Sequence, residues 1–191
     1  MKIGLFFGTF NPFHTGHLII ANYMVEFSDL DEIWFVITPL SPFKKKSSLL
    51  SNHHRLSLVN IAVEDYPKLK SSTVEFKMPQ PSYTIDTLAY LSEKYPDRNF
   101  VLIGGTDILP SFHKWKNYQI LLDNYSLYIY NRPAYDPGEY QNHPNIRFFQ
   151  APLLEISASF IRDSIRKGRD IRYMLPQKVY EYIIEMHFYE K

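Results

Sequence analysis

Short apolar runs alternate along this chain with longer stretches whose apolar positions recur at helical spacing. Ile3–Phe7, Ile33–Thr38, Thr73–Phe76, Phe100–Ile103 and Leu127–Tyr130 are brief and rich in β-branched and aromatic side chains, which predicts strands. Gly16–Phe27, Ser51–Asp65, Thr84–Tyr95 and Asn117–Asp123 have helix length, and Ser159–Lys167 and Gln177–Met186 predict a helical C-terminus. Strands separated by helices predict an α/β fold, a doubly wound parallel sheet covered by helices on both faces. The expected organisation is one domain over residues 1–191, with 152–191 as a small helical C-terminal subdomain. No internal repeat interrupts it, and the 13 Pro act as punctuation between elements. Ligands of such sheets bind at the carboxyl ends of the strands, so the loops after Phe7, Thr38, Ile103 and Tyr130 are expected to share one crevice.

Composition narrows the classes. At 191 residues and 45% hydrophobic content, the chain can bury a full core, which excludes a disordered or fibrous protein. A net charge of +1 and a pI near 7.9 lack the basic excess of a nucleic-acid binder, so no nucleic-acid partner is expected. With no Cys, neither a disulfide framework nor a thiolate metal site can form. Lys2 followed only by Ile3–Phe7 is too short for a signal segment or a membrane span, so a cytoplasmic protein without a membrane partner is expected. The 15 Tyr and 14 Phe suffice either to fill a core or to cover a homo-oligomer interface, and both remain open.

The loop from Gly8 to His17 is not a packing sequence. Gly8 permits close backbone approach to a ligand, Asn11-Pro12 enforces a turn, and Thr15-Gly16 falls where a helix start presents unpaired N–H groups. Such groups attract phosphate. His14 and His17, three apart, put both imidazoles on one side of the helix start, within reach of phosphate oxygens. Near the C-terminus, Ile156-Ser157-Ala158-Ser159-Phe160-Ile161-Arg162 opens a helix with Ser159 and Arg162 on one face. A hydroxyl, a forked guanidinium and a helix N-terminus together suit a polyphosphate. The plainer alternative is a Ser cap on a surface helix that stops at Gly168. Neither a Gly-Lys-Ser/Thr phosphate loop nor a Gly-x-Gly-x-x-Gly turn follows any predicted strand, which disfavours P-loop hydrolysis and dinucleotide oxidoreduction.

His14-Thr15-Gly16-His17 and Ile156–Arg162 resemble the two signatures of the His-x-Gly-His nucleotidylyltransferases, whose fold is Rossmann-like. Where that family usually reads Gly-Gly-Thr-Phe-Asp-Pro, this chain has Phe7-Gly8-Thr9-Phe10-Asn11-Pro12. Pro81-Ser82-Tyr83-Thr84, Ile103-Gly104-Gly105-Thr106-Asp107 and Lys114-Trp115-Lys116 resemble the bacterial-type nicotinate-nucleotide branch, so the likeness spans nearly the whole chain. The resemblance implies adenylyl transfer from ATP to nicotinate mononucleotide in NAD biosynthesis, with pyrophosphate as the other product. It implies an ATP site made by Gly8, Thr9, Phe10, His14, Gly16, His17, Gly104, Asp107, Arg132, Ile156, Ser157, Ser159 and Arg162. Lys44, Tyr83, Thr84, Trp115 and Lys116 would bind the mononucleotide, Trp115 by stacking on the pyridine ring and Thr84 near its carboxylate. His14, His17, Lys44 and Arg162 would carry catalysis. Mg²⁺ is expected on the triphosphate, held mainly by substrate oxygens rather than by a protein metal site. Pro42-Phe43-Lys44 stands in place of the family's Pro-His-Lys, and His54-Arg55 resembles a structurally important family position.

The first loop alone does not separate this reading from transferases acting on nicotinamide mononucleotide or phosphopantetheine. A non-catalytic nucleotide sensor is the alternative from another class, and retention of both His with Ser159 and Arg162 argues against it.

Overall fold

A computed structural model describes residues 1–39, 49–152 and 154–190. Six strands, β1 (Lys2–Gly8), β2 (Glu32–Ile37), β3 (Leu69–Ser72), β4 (Asn99–Gly105), β5 (Ser126–Tyr130) and β6 (Ile146–Phe149), form one parallel sheet in the order β3-β2-β1-β4-β5-β6. Six α-helices accompany it among the described residues: α1 (Thr15–Phe27), α2 (Asn52–Val63), α3 (Thr84–Lys94), α4 (Tyr118–Asn124), α5 (Ala158–Arg166) and α6 (Gln177–Glu185). The doubly wound, Rossmann-like arrangement agrees with the alternation in the sequence.

Each face of the sheet has its own core. Ile33, Phe35 and Ile37 of β2 pack with α1 and α2 through Met24, Val25, Leu58 and Val59, whereas Val36 faces the other way with Leu88 and Leu91 of α3. Because both sides are buried, the central strands are apolar at successive positions rather than at every second one. Ile161 and Ile165 of α5 and Val179 and Ile183 of α6 join the core on the α1 side, each worth roughly 1.5–3 kcal/mol of apolar burial.

Two strand expectations require correction. The third strand is Leu69–Ser72, not Thr73–Phe76, and Val74–Lys77 is a turn of 3-10 helix. Ile146–Phe149 is a strand that the hydrophobic pattern did not indicate. Both are edge strands with one buried residue each, Leu69 and Ile146, so their sequences lack the double-sided apolar signature. A second 3-10 stretch, Thr106–Lys114, follows β4 and carries Asp107 toward the crevice.

Candidate active site

The order of strands reverses between β1 and β4, which therefore diverge into connections on opposite faces and leave a crevice at their carboxyl ends. Two clefts open there. The larger, of about 740 Å³, lies over the first loop, the ends of β4 and β5 and the start of α5. The smaller, of about 450 Å³, lies between Thr38, Glu75, the Ser82–Ile85 stretch and Lys114–Lys116. Phe7, Gly8, Thr9 and Trp115 line both, so the clefts meet at the end of β1.

Two arginines hold the loop that separates them. Arg55 of α2 is completely buried, and its guanidinium donates to the carbonyl oxygens of Thr9 (2.6 Å), Thr38 (2.8 Å), Leu50 (3.1 Å) and Pro39 (3.2 Å) and to Asn52 Oδ1 (2.6 Å). These bonds match the five N–H donors of the group. Burial lowers its pKa to about 10, which leaves it charged at neutral pH. From α5, Arg162 Nη1 donates to Asn11 O at 2.7 Å. Asn11 Oδ1 accepts from Leu50 N and from the Tyr189 hydroxyl at 3.2 and 2.7 Å. Carbonyls that would repel a phosphate are in this way engaged by cations.

The loop's glycines serve its own side chains. A Cβ on Gly8 would come within 2.8 Å of the Phe10 ring, and one on Gly16 within 3.1 Å of the His14 imidazole. Gly8 thus makes room for Phe10, itself held at a positive φ of 46°, and its backbone lines both clefts. His14 caps α1, and its ring stacks on that of His17 with centroids 3.7 Å apart. The His14 backbone N–H donates to His17 Nδ1 at 3.2 Å, which places the proton of a neutral His17 on Nε2 as an outward donor. Burial, with the charge of Arg132 as a second cause, lowers the pKa of His14 to about 4 and keeps the ring neutral. Its Nδ1 is buried without a hydrogen-bond partner among the described residues.

The remaining walls of the larger cleft come from two sides. Ser157 rather than Ser159 caps α5, accepting from Phe160 N at 3.1 Å, and Ser159 Oγ accepts from Arg162 Nη2 at 3.2 Å. Opposite, Arg132 Nε stands 3.2 Å from Asp107 Oδ1, and Thr106 Oγ1 bonds the backbone of Arg132 at 2.8 and 3.1 Å. This pair requires Gly105, whose Cβ would lie 2.3 Å from Asp107 Oδ1 and 3.0 Å from Arg132 Nε. At Gly104 a Cβ would meet the tip of the Ile108 side chain at 2.5 Å, which would have to shift.

Among the residues expected at the ATP site, Gly8, Thr9, Phe10, His14, Gly16, His17, Gly104, Asp107, Arg132, Ile156, Ser157, Ser159 and Arg162 all line the larger cleft. Tyr83, Thr84, Trp115 and Lys116 line the smaller one. Trp115 is half-buried against Phe112, with ring centroids 5.2 Å apart. Lys116 is paired with Asp86 at 2.8 Å and sits over the Tyr83 ring, so its charge is already balanced. Lys44, with Pro42 and Phe43, lies outside the described residues.

Sequence reasoning missed Glu75 in the smaller cleft and the carbonyl-gripping role of Arg55, and it placed Ser82 and Thr38 in expected segments of the crevice without giving either a role. A lone acid between Val74 and Phe76 was the available signal for Glu75, and it passed unremarked inside the expected strand Thr73–Phe76.

Among the described residues no three or more His, Asp or Glu gather where they could hold a metal ion, and no helix is long and apolar enough to cross a membrane.

A model of the cytidylyltransferase-like family matches residues 5–164. A Flavobacterium johnsoniae protein named for nicotinate-nucleotide adenylyltransferase activity is 54% identical, with all of both chains covered. One from Christiangramia forsetii bearing the same name is 55% identical over 99% of this chain and 98% of its own. Among solved structures, the nicotinic acid mononucleotide adenylyltransferase of Plasmodium falciparum complexed with NaAD superposes with a TM-score of 0.84 at 21% identity, covering 99% of this chain and 97% of that one. The similarity to that structure is one of fold.

Proposed function

This chain belongs to the cytidylyltransferase-like family and, within it, to the nicotinate-nucleotide adenylyltransferases, and on that premise we propose how its two clefts divide the reaction. The enzyme transfers the adenylyl group of ATP to nicotinate mononucleotide, forming nicotinate adenine dinucleotide and pyrophosphate in NAD biosynthesis. In the proposed division, ATP occupies the larger cleft and the mononucleotide the smaller. The observation carrying this reading is their junction: the clefts meet at Phe7–Thr9 and Trp115, with phosphate donors on one side and aromatic and hydroxyl groups on the other.

The 5′-phosphate of the mononucleotide attacks the α-phosphorus of ATP as the bond to pyrophosphate breaks. An ionised phosphate needs no general base. Catalysis then rests on aligning two anions and stabilising the charge that moves onto the leaving group. His17, with its Nε2 proton held outward, serves the α-phosphate oxygens, while His14, Ser159 and Arg162 serve the β- and γ-phosphates. Arg162 can keep Asn11 O and still offer other N–H donors. Asp107 accepts from the ribose, Arg132 lies by the adenylate moiety, and the backbone at Gly104 and Ile156–Ser157 borders the nucleotide. Trp115 stacks on the pyridine ring, Thr84 and neighbouring amides meet its carboxylate, and Lys44 is proposed to approach the incoming phosphate.

The donors around the larger cleft suit a divalent cation that arrives on the triphosphate: the nearest carboxylate, Asp107, is committed to Arg132. Mg²⁺ is the ion proposed, and when bound it neutralises charge on the leaving pyrophosphate. Its contacts would be substrate oxygens with the hydroxyl of Ser159 alongside.

Pyrophosphate release from ATP, measured with nicotinate and nicotinamide mononucleotides side by side, tests the assignment. The acid is expected to be the better substrate. ATP binding without release with either mononucleotide would contradict it.

A further inference from the structure

The inner wall of the smaller cleft contains a carboxyl group for which the mechanism above has no use. Glu75, on the 3-10 turn Val74–Lys77, is 2% exposed and lines this cleft. Thr87 of α3 donates to its Oε1 at 2.9 Å. Its Oε2 and the hydroxyl of Ser82 are buried without a well-formed hydrogen bond among the described residues.

A buried carboxylate ordinarily has a cation beside it, because an unpaired charge in a dry site costs several kcal/mol. None is paired with Glu75 among the described residues. Lys77 lies on its own turn, and Thr38, just past the end of β2, contributes its hydroxyl while the one acid of β2, Glu32, pairs with Lys70. On α3, Asp86 is neutralised by Lys116 at 2.8 Å, and Tyr83 and Lys114 complete the titratable groups of the outer wall. Burial pushes the Glu75 carboxyl above the usual range, with the hydroxyls of Ser82, Thr87 and Thr38 opposing in part. A neutral carboxylic acid differs from a carboxylate in having an O–H to donate.

The substrates that could enter differ in one substituent, a carboxylate on the nicotinate ring or a carboxamide on the nicotinamide ring. We propose that Glu75 is a substrate-recognition residue that reads this substituent, its neutral acid donating a hydrogen bond from Oε2 to the nicotinate carboxylate. The inference rests on the assignment of the mononucleotide to the smaller cleft. Two carboxyl groups sharing one proton bind tightly only while that proton is present. Ionisation of Glu75 replaces attraction by repulsion for the acid, and offers an acceptor to the N–H of the amide.

Calorimetric binding of each mononucleotide in buffers of different ionisation enthalpy provides a test on the unaltered protein. Both ligands carry the same 5′-phosphate, so its protonation cancels in the comparison. At a pH where Glu75 is ionised in the free protein, marked by the onset of the rise in KM described next, nicotinate mononucleotide is expected to take up more protons than the amide, and Glu75→Gln, which keeps a donor but cannot titrate, abolishes the difference. In steady-state kinetics the KM for nicotinate mononucleotide rises about tenfold per pH unit once the carboxyl ionises, while kcat and the KM for ATP change little. In Glu75→Gln that KM is flat. Equal proton uptake for the two ligands over the pH range in which that KM rises, the absence of any such rise, or a pH slope that survives in Glu75→Gln would overturn the proposal. Absence of pyrophosphate release in the unaltered enzyme would count against the assigned reaction instead, and the proton-uptake difference would still judge Glu75.

Discussion

In the larger cleft, guanidinium groups grip the loop: Arg55 and Arg162 hold the carbonyls of Thr9 and Asn11, and the histidines are set above them by the start of α1. In the smaller cleft the inner wall is a carboxyl and hydroxyls with no paired cation among the described residues. On the proposed division both regions face anionic ligands, so the difference concerns how much charge each must stabilise. A triphosphate calls for cationic and amide donors throughout. A nicotinate ring brings a single carboxylate beside an electron-poor face, and an aromatic platform with a few neutral donors is enough.

The contrast can be broken most forcefully at Arg55. Replacing it by Ala leaves buried carbonyls on both strand ends without donors, and stability is expected to fall by about 4 kcal/mol, read as a lower denaturant midpoint. Little loss would mean that water takes over those carbonyls and that the guanidinium is dispensable to the loop. At His17 the effect should appear in turnover. His17→Ala is expected to lower kcat by on the order of a hundredfold, about 3 kcal/mol, with the KM for nicotinate mononucleotide nearly unchanged. An equal rise in that KM would show that the clefts are not separable at this residue.

The smallest effect concerns acid. His14 has a folded pKa of about 4 against an ordinary 6.5, so between these values the unfolded chain binds a proton that the folded chain refuses. Its contribution is therefore intact above pH 6.5 and declines as pH falls toward 4. About 1 kcal/mol should be lost between pH 7 and pH 5.5, and His14→Gln should remove that part of the slope in denaturant titrations. Saturating ATP should also reduce it, because a phosphate beside the ring favours the imidazolium.

The same contrast explains what could be read from the chain. Much of the larger cleft comes from two contiguous segments, Gly8–His17 and Ile156–Arg162, each with its own local helix start, so spacing grouped His14 with His17 and Ser159 with Arg162, and the family resemblance joined the two segments and added Gly104, Asp107 and Arg132. Central strands were legible because both of their faces are apolar, and Leu69–Ser72 and Ile146–Phe149 were not because an edge strand buries one side chain. Glu75, and the contacts of Arg55 whose importance the resemblance had marked, were hidden for a further reason. Their surroundings are assembled from β2, α2, α3 and the loops between them, and a charged residue in a short segment looks solvent-facing until the tertiary contacts exist. The room that Gly8 makes for the Phe10 ring, two positions along the chain, was likewise invisible before the loop was folded.

The division between the clefts is tested most directly by a pair of variants, Ser159→Ala and Thr84→Val, each assayed for the KM of both substrates. Ser159→Ala is expected to raise the KM for ATP several-fold and leave that for nicotinate mononucleotide within about twofold, and Thr84→Val to do the reverse, each shift on the order of one hydrogen bond. Two variants that each move both constants together would contradict separate sites meeting at the end of β1.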